Sequence, residues 1–323
     1  MKIATCLMIC FLATISYAQF APAAGQNGTT AIDKDSSVFV NWGYFVTSIN
    51  LGPEDLSQNS PFVGFGAISN VLGPAEGNSF DVLSLGDGGD ITIHFQYPIF
   101  NGPGNDFAVF ENSVWDDFLE LAFVEVSTDG QNFVRFPSTS LTQTISQVAT
   151  FGLLNPTEIH NFAGKYRQGF GTPFDLSDLS DSTGINLDSI NYVRIIDVVG
   201  SIDPQYASYD HLGTIVNDPF PTPFESSGFD LDAIGVIHQN NIYASVDQND
   251  IRFEIYPNPA SDYLNISVER SNYQVQLFDL NSKLVYSAKD VELINVTHLN
   301  SGIYFLILNL SDQQSIKKII VTH

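Results

Sequence analysis

The sequence predicts an all-β protein, with a β-sandwich over most of its length and then a second, smaller β unit. Three observations predict it. No segment of residues 19–253 keeps the 3.6-residue apolar period of an amphipathic helix. The apolar runs are short and rich in β-branched and aromatic residues. Gly, Pro, Asn and Asp punctuate those runs too irregularly for a propeller or solenoid, and no internal repeat is present.

The elements follow in chain order. Lys2, an apolar stretch over 3–15 and Ser16-Tyr17-Ala18 form the pattern of a signal peptide over 1–18, cleaved before Gln19. The apolar run is shorter than the roughly 20 residues a spanning helix needs. Both cysteines, Cys6 and Cys10, lie inside it, so the mature chain has neither disulfides nor thiol chemistry. Residues 19–239 are expected to form the large sandwich. Its strands are Ile91-Thr92-Ile93-His94-Phe95, which alternates, then Asp106-Phe107-Ala108-Val109-Phe110 and Leu121-Ala122-Phe123-Val124-Glu125-Val126-Ser127. Tyr192-Val193-Arg194-Ile195-Ile196-Asp197-Val198-Val199 and Ala233-Ile234-Gly235-Val236-Ile237 complete the expected core. Turns fall at Gly86-Asp87-Gly88-Gly89, Asn101-Gly102-Pro103-Gly104 and Asp129-Gly130. Asp175, after a Pro-containing turn, is placed to cap one helical turn over 176–179. Polar residues 240–253 read as a linker, and 254–323 as the second unit.

Charge is concentrated in the large sandwich. The chain has 12 Lys+Arg against 36 Asp+Glu, a net of −24, and residues 19–253 hold 6 basic against 29 acidic residues. Such a surface repels nucleic acid and anionic lipid and attracts cations. The acids either keep an exported protein soluble or supply oxygen ligands to Ca²⁺, which takes six to eight.

Three resemblances add to this reading. Tyr256-Pro257-Asn258-Pro259-Ala260, then Gly302-Ile303-Tyr304-Phe305-Leu306-Ile307, then Lys317-Lys318-Ile319-Ile320-Val321 resemble, in that order, the type A C-terminal sorting domain of proteins exported by type IX secretion in Bacteroidetes. Asn281 stands where that family usually has a turn Gly; Asn tolerates positive φ. The resemblance implies an Ig-like β-sandwich tail, the type IX machinery as partner, and a secreted or outer-membrane-surface location. The hairpin from Val124 through Asp129-Gly130 to Phe136, with the later strands at Tyr192 and Ile234, resembles discoidin or galactose-binding jelly rolls. That likeness implies a jelly roll, with calcium often held near its first and last strands. Ser84-Leu85-Gly86-Asp87-Gly88-Gly89, the segment around Asp106–Asn112 and Gly228-Phe229-Asp230-Leu231-Asp232-Ala233 resemble an uncharacterised group of bacterial cell-surface proteins, which implies no ligand.

Candidate site residues are few. Alternation puts Asp230 and Asp232 on one face, where two carboxylates repel unless a cation such as Ca²⁺ lies between them. The alternative partner is Arg194 or Arg167. If Phe107, Val109 and Glu111 share a face, Glu111 points into the core and needs a cation or donors; if the strand ends sooner, it is solvated. Trp42, Tyr44, Trp115, Tyr206 and Tyr209 are the aromatics on loops, and Trp115, Tyr206 and Tyr209 are the expected ligand contacts by stacking on sugar rings. None of the six histidines has nucleophile-elbow or zinc-ligand spacing. The expectation is therefore a non-enzymatic surface protein binding carbohydrate or glycoprotein, with structural Ca²⁺. The alternatives are a glycan-degrading hydrolase or its accessory module, which needs only a carboxylate pair, and a purely structural adhesin.

Overall fold

Period-two alternation builds the centre of the molecule. In the computed structural model, which describes residues 20–240, 253–268, 271–280, 283–310 and 313–323, the ten-residue strand Asp90–Ile99 buries Ile91, Ile93 and Phe95 completely. The expected signal peptide, most of the expected linker and Asn281 lie outside the described residues. Asp90–Ile99 is second in a five-stranded sheet ordered Phe45–Asn50, Asp90–Ile99, Ile190–Asp197, Ala122–Ser127, Val134–Arg135. The last two strands are the expected hairpin, with Glu125 opposite Arg135 and Val126 opposite Val134.

The facing sheet runs Ile32–Asp33, Phe170–Phe174, Phe107–Glu111, Asp230–Val236, Asn41–Trp42, with Leu83–Ser84 also pairing to Asp230–Val236. Ile91, Ile93, Val124, Val126, Val193 and Ile195 of one sheet meet Phe107, Val109, Leu231, Ile234 and Val236 of the other in a single core. All of these pairings are antiparallel, so the architecture is the expected jelly-roll-like sandwich.

Two departures from simple alternation decide which side chains leave the core. Phe107–Glu111 is buried on both faces, because Phe39 and Trp42 cover its outer side, Trp42 lying 5.6 Å from the Phe110 ring. Trp42 is thus a packing residue. Between Leu231 and Ala233 the register with Phe107–Glu111 shifts. Phe229 and Leu231 point into the core before this bulge and Ile234 and Val236 after it, which leaves Asp230, Asp232 and Ala233 facing outward. Among the described residues, helical structure is confined to short 3₁₀ turns. Asp175 caps the one at Leu176–Leu179, as expected, its Oδ1 accepting from Ser177 N–H at 2.9 Å.

The tail is a second sandwich. Phe253–Tyr256, Tyr263–Val268 and Leu293–Asn295 form one sheet; Leu284–Lys289, Tyr273–Asp279, Gly302–Leu310 and Gln313–Val321 form the other. Leu264, Ile266, Val275, Leu277, Leu306 and Ile319 fill the space between them. Among the described residues no strand pairing joins the two sandwiches.

Candidate functional site

The strand order dictates where a site can form. Phe107–Glu111 lies in one sheet and Ala122–Ser127 in the other, so residues 112–121 must cross one end of the sandwich. That crossing is firmly held. Ser113 N–H donates to Glu111 Oε2 at 2.8 Å, Gln168 N–H to the Ser113 carbonyl at 2.7 Å, and Leu121 N–H to Asp218 Oδ2 at 2.7 Å. Leu119 and Leu121 of the crossing are buried, but Val114 and Trp115 are pushed outward, Trp115 being 60% exposed. A row of rings continues from it: Trp115 to Phe118 at 6.3 Å, Phe118 to Phe151 at 6.3 Å, and Phe151 stacked on Phe224 at 5.8 Å. Exposed aromatic surface of this extent is typical of binding sites.

A hollow lies on each side of the crossing. The larger, of about 530 Å³, is lined by Trp115, Asp116, Asp117, Asn155, Thr157 and Arg167 among others. Arg167 Nε stands 3.4 Å from Asp116 Oδ1 while its Nη1 is buried without a partner, so the guanidinium keeps a donor unused. The smaller hollow, of about 240 Å³, has walls of Phe65, Phe118, Phe151 and Phe224, and its lining includes Asn112, Glu120 and Asp230.

The acids around this second hollow are the electrostatic peculiarity of the molecule. Asp230, almost fully buried, accepts from Ser84 Oγ and, at 2.8 Å, from Asn112 Nδ2; burial pushes it up to about 7. Glu111, paired across the sheet with Leu231, is 1% exposed. Its Oε2 takes the Ser113 N–H and its Oε1 has no partner. Burial and then the charge of Asp230 hold it well above the usual carboxylate range, the Ser113 N–H opposing. Glu120 is half-buried in accessible surface yet deeply sunk in protein. Burial, then Asp230, then Glu111 raise it well above the usual carboxylate range too. Asp197 and Asp218 behind them are raised for the same reasons, though backbone N–H groups of Gly88 and Phe229 satisfy the first and Leu121 N–H the second. Neither arginine expected to answer Asp230 or Asp232 does so. Arg194 and Arg135 both pair with Glu125, and Arg167 pairs with Asp116.

The structure brings together only part of the expected calcium set. Glu111 and Asp230 are neighbours, but Asp232 lies in the bulge, where the N–H groups of Glu76 and Gly77 bind its two oxygens at 3.0 and 2.9 Å. Among the described residues no three His, Cys, Asp or Glu converge as metal ligands would. Asp230, Asp232 and Glu111 therefore do not fit one Ca²⁺ site. Trp115 lines the larger hollow as expected. Tyr206, half-buried, and Tyr209, 44% exposed, line neither hollow, and the acids of their loop are structural: Asp210 binds the N–H groups of Ser140, Leu212 and Thr214. Glu120, Phe151, Phe224 and Arg167 were missed. Only Phe118-Leu119-Glu120-Leu121 carried a signal, an acid between two leucines that are both fully buried.

The tail shows why its signature lies at both ends. Asn258 Nδ2 donates to the Lys318 carbonyl and Asn258 Oδ1 accepts from Ile320 N–H, both at 2.8 Å. Ala260, fully buried, donates to the Ile320 carbonyl and accepts from Thr322 N–H. Thus Pro-Asn-Pro-Ala is stitched to the last strand, and the family model described as "Secretion system C-terminal sorting domain" matches residues 254–322. The tail is a secretion-system sorting domain. It marks this chain as one exported by type IX secretion to the cell surface or the medium. No curated protein matches the sequence. Two solved structures show distant likeness. PorZ, a surface component of the type IX secretion system of Porphyromonas gingivalis, is 12% identical with a TM-score of 0.20, over 92% of this chain and 47% of its own. A Ruminococcus gnavus β-glucuronidase is 15% identical with a TM-score of 0.18, over 95% of this chain and 46% of its own. The chain spans less than half the length of either. Among the described residues no helix is long and apolar enough to cross a membrane.

Proposed function

We propose that this exported protein binds carbohydrate, free or on a glycoprotein, in the groove beside Trp115. One observation carries the reading: an exposed indole stands next to Asp116, Asn155 and Arg167 in a single open hollow. A sugar ring offers an apolar C–H face for the indole to stack on and hydroxyls along its edge. The carboxylate and amide accept from such hydroxyls, and the partly exposed Arg167 guanidinium donates to them. The crossing that carries Trp115 is pinned at Ser113 and Leu121, so little ordering entropy is lost on binding.

A glycan array probed with the purified protein tests this. At least one glycan class should bind, and Trp115→Ala should weaken it by about 1–3 kcal/mol, the scale of a central aromatic anchor. The melting temperature should hardly change, since exposed positions cost at most about half a kilocalorie. Binding to nothing on the array, or unchanged binding by the variant, would dismiss the reading.

A further inference from the structure

We propose that the smaller hollow, between Phe118, Phe151 and Phe224, accepts a protonated amine carried on the bound glycan: an amino sugar whose nitrogen is not acylated. The inference rests on the glycan reading above, because Val114 lines both hollows and the same crossing carries Trp115 into one and Phe118 into the other.

The hollow presents two carboxylates, Glu120 and Asp230, and neither Lys nor Arg lines it. Glu111 adds a third acid behind them, 1% exposed and with Oε1 unpartnered; its charge acts on Glu120, as that of Asp230 acts on it. Glu120 lines the cavity and makes no hydrogen bond or ion pair to any other described side chain. Crowded acids of this kind are stabilised by a cation, and the walls decide which sort. Calcium requires six to eight oxygens, whereas these walls are phenyl rings and the acids do not converge on one point. Aromatic faces beside carboxylates suit an organic ammonium, which gains from the ring quadrupoles and from charge-assisted hydrogen bonds together. At about 240 Å³ the cavity falls below the roughly 300–1,000 Å³ of sites for drug-sized ligands, so it admits one ring or less. A single amino-sugar unit, with its neighbour on Trp115, meets that limit.

Isothermal titration of the full-length protein with glucosamine oligomers and with N-acetylglucosamine oligomers of equal length, at neutral pH, tests the proposal. The free-amine series should bind roughly tenfold or more tightly, the scale of one charge-assisted hydrogen bond. Glu120→Gln should abolish that preference and retain binding of the N-acetyl series. Phe224→Leu, on the exposed rim, should reduce the preference and provides a second variant should Glu120→Gln fold poorly. Equal affinity for the two series, or a preference that survives Glu120→Gln, would overturn the amine pocket while leaving the Trp115 groove intact. Spermidine or Ca²⁺ binding alone, with no glycan bound, would overturn both. Release of new reducing ends during the titration would also overturn the proposal, by reassigning Glu120 and Asp230 as an acid–base pair.

Discussion

Asp230 sits where a strand of the core meets a cavity, and burial pushes its carboxyl up to about 7. Ser84 and Asn112 satisfy its oxygens with neutral donors, which is enough to tolerate the carboxyl but not to keep it ionised at pH 6. Asp87 and Asp232 are pushed up to about 6 by burial, and burial likewise raises Glu111, Glu120, Asp197 and Asp218 well above the ordinary carboxylate range. Such groups bind more protons folded than unfolded, so stability present at low pH is lost as pH rises through their folded values. Buried His94 and His160, both lowered, act in the opposite sense below about pH 6.5. Lys165, lowered to about 8, acts above the window. Between pH 6 and pH 8 the acids prevail. The melting temperature should therefore be several degrees lower at pH 8, given ~1.4 kcal/mol per pKa unit and ~2–4 °C per kcal/mol. Differential scanning calorimetry in the two buffers measures this, and Asp230→Asn should flatten part of the slope. A curve that is flat or rises toward pH 8 in wild type would contradict the electrostatics described.

At the scale of elements, turn chemistry was the most readable feature. Asp129-Gly130 specified the hairpin because Gly130 adopts φ +73°, while Asp129 Oδ1 binds the N–H groups of Gln131 and Asn132. A Cβ at Gly130 would also lie 3.0 Å from the Tyr192 ring. Gly130→Ala should accordingly cost roughly 1–3 kcal/mol, the scale of a strained left-handed position, readable as a shift in urea midpoint with no change in slope. Equal stability would show that the turn relaxes freely. The same local logic found Asp175 as a cap and the run Asp106–Phe110 as a buried strand. It could not find the bulge at Asp232, where alternation merely looks continuous. Nor could it find the site, because the rings that meet there come from positions 118, 151 and 224, and the anchor of the crossing, Asp218, lies 97 residues from Leu121. Contacts of that separation leave no local period in a sequence. Trp115 was recoverable as a loop aromatic; Tyr206 and Tyr209 shared that description but line neither hollow.

At the scale of the whole molecule, the two sandwiches divide the work. The sorting domain closes on itself: Asn258 and Ala260 fasten its first segment to its last strand, and Lys317 Nζ donates to the Phe253 carbonyl at 2.6 Å. Its core and that of the large sandwich are separate clusters. Removing 254–323 thus takes away all of one core but Phe253, without cutting a strand of the other. The truncated protein should fold and keep its glycan binding, but should accumulate in the periplasm of its own host. Fractionation followed by immunoblotting, with the purified truncation tested on the same array, separates the two roles. Appearance of the truncated chain at the surface or in the medium would mean that export is read elsewhere in the sequence. Loss of glycan binding would mean that the tail completes the site. Asn258→Ala, which removes both hydrogen bonds to the last strand and leaves the hydrophobic core in place, should reduce export less than the deletion does, because the stitching at Ala260 remains.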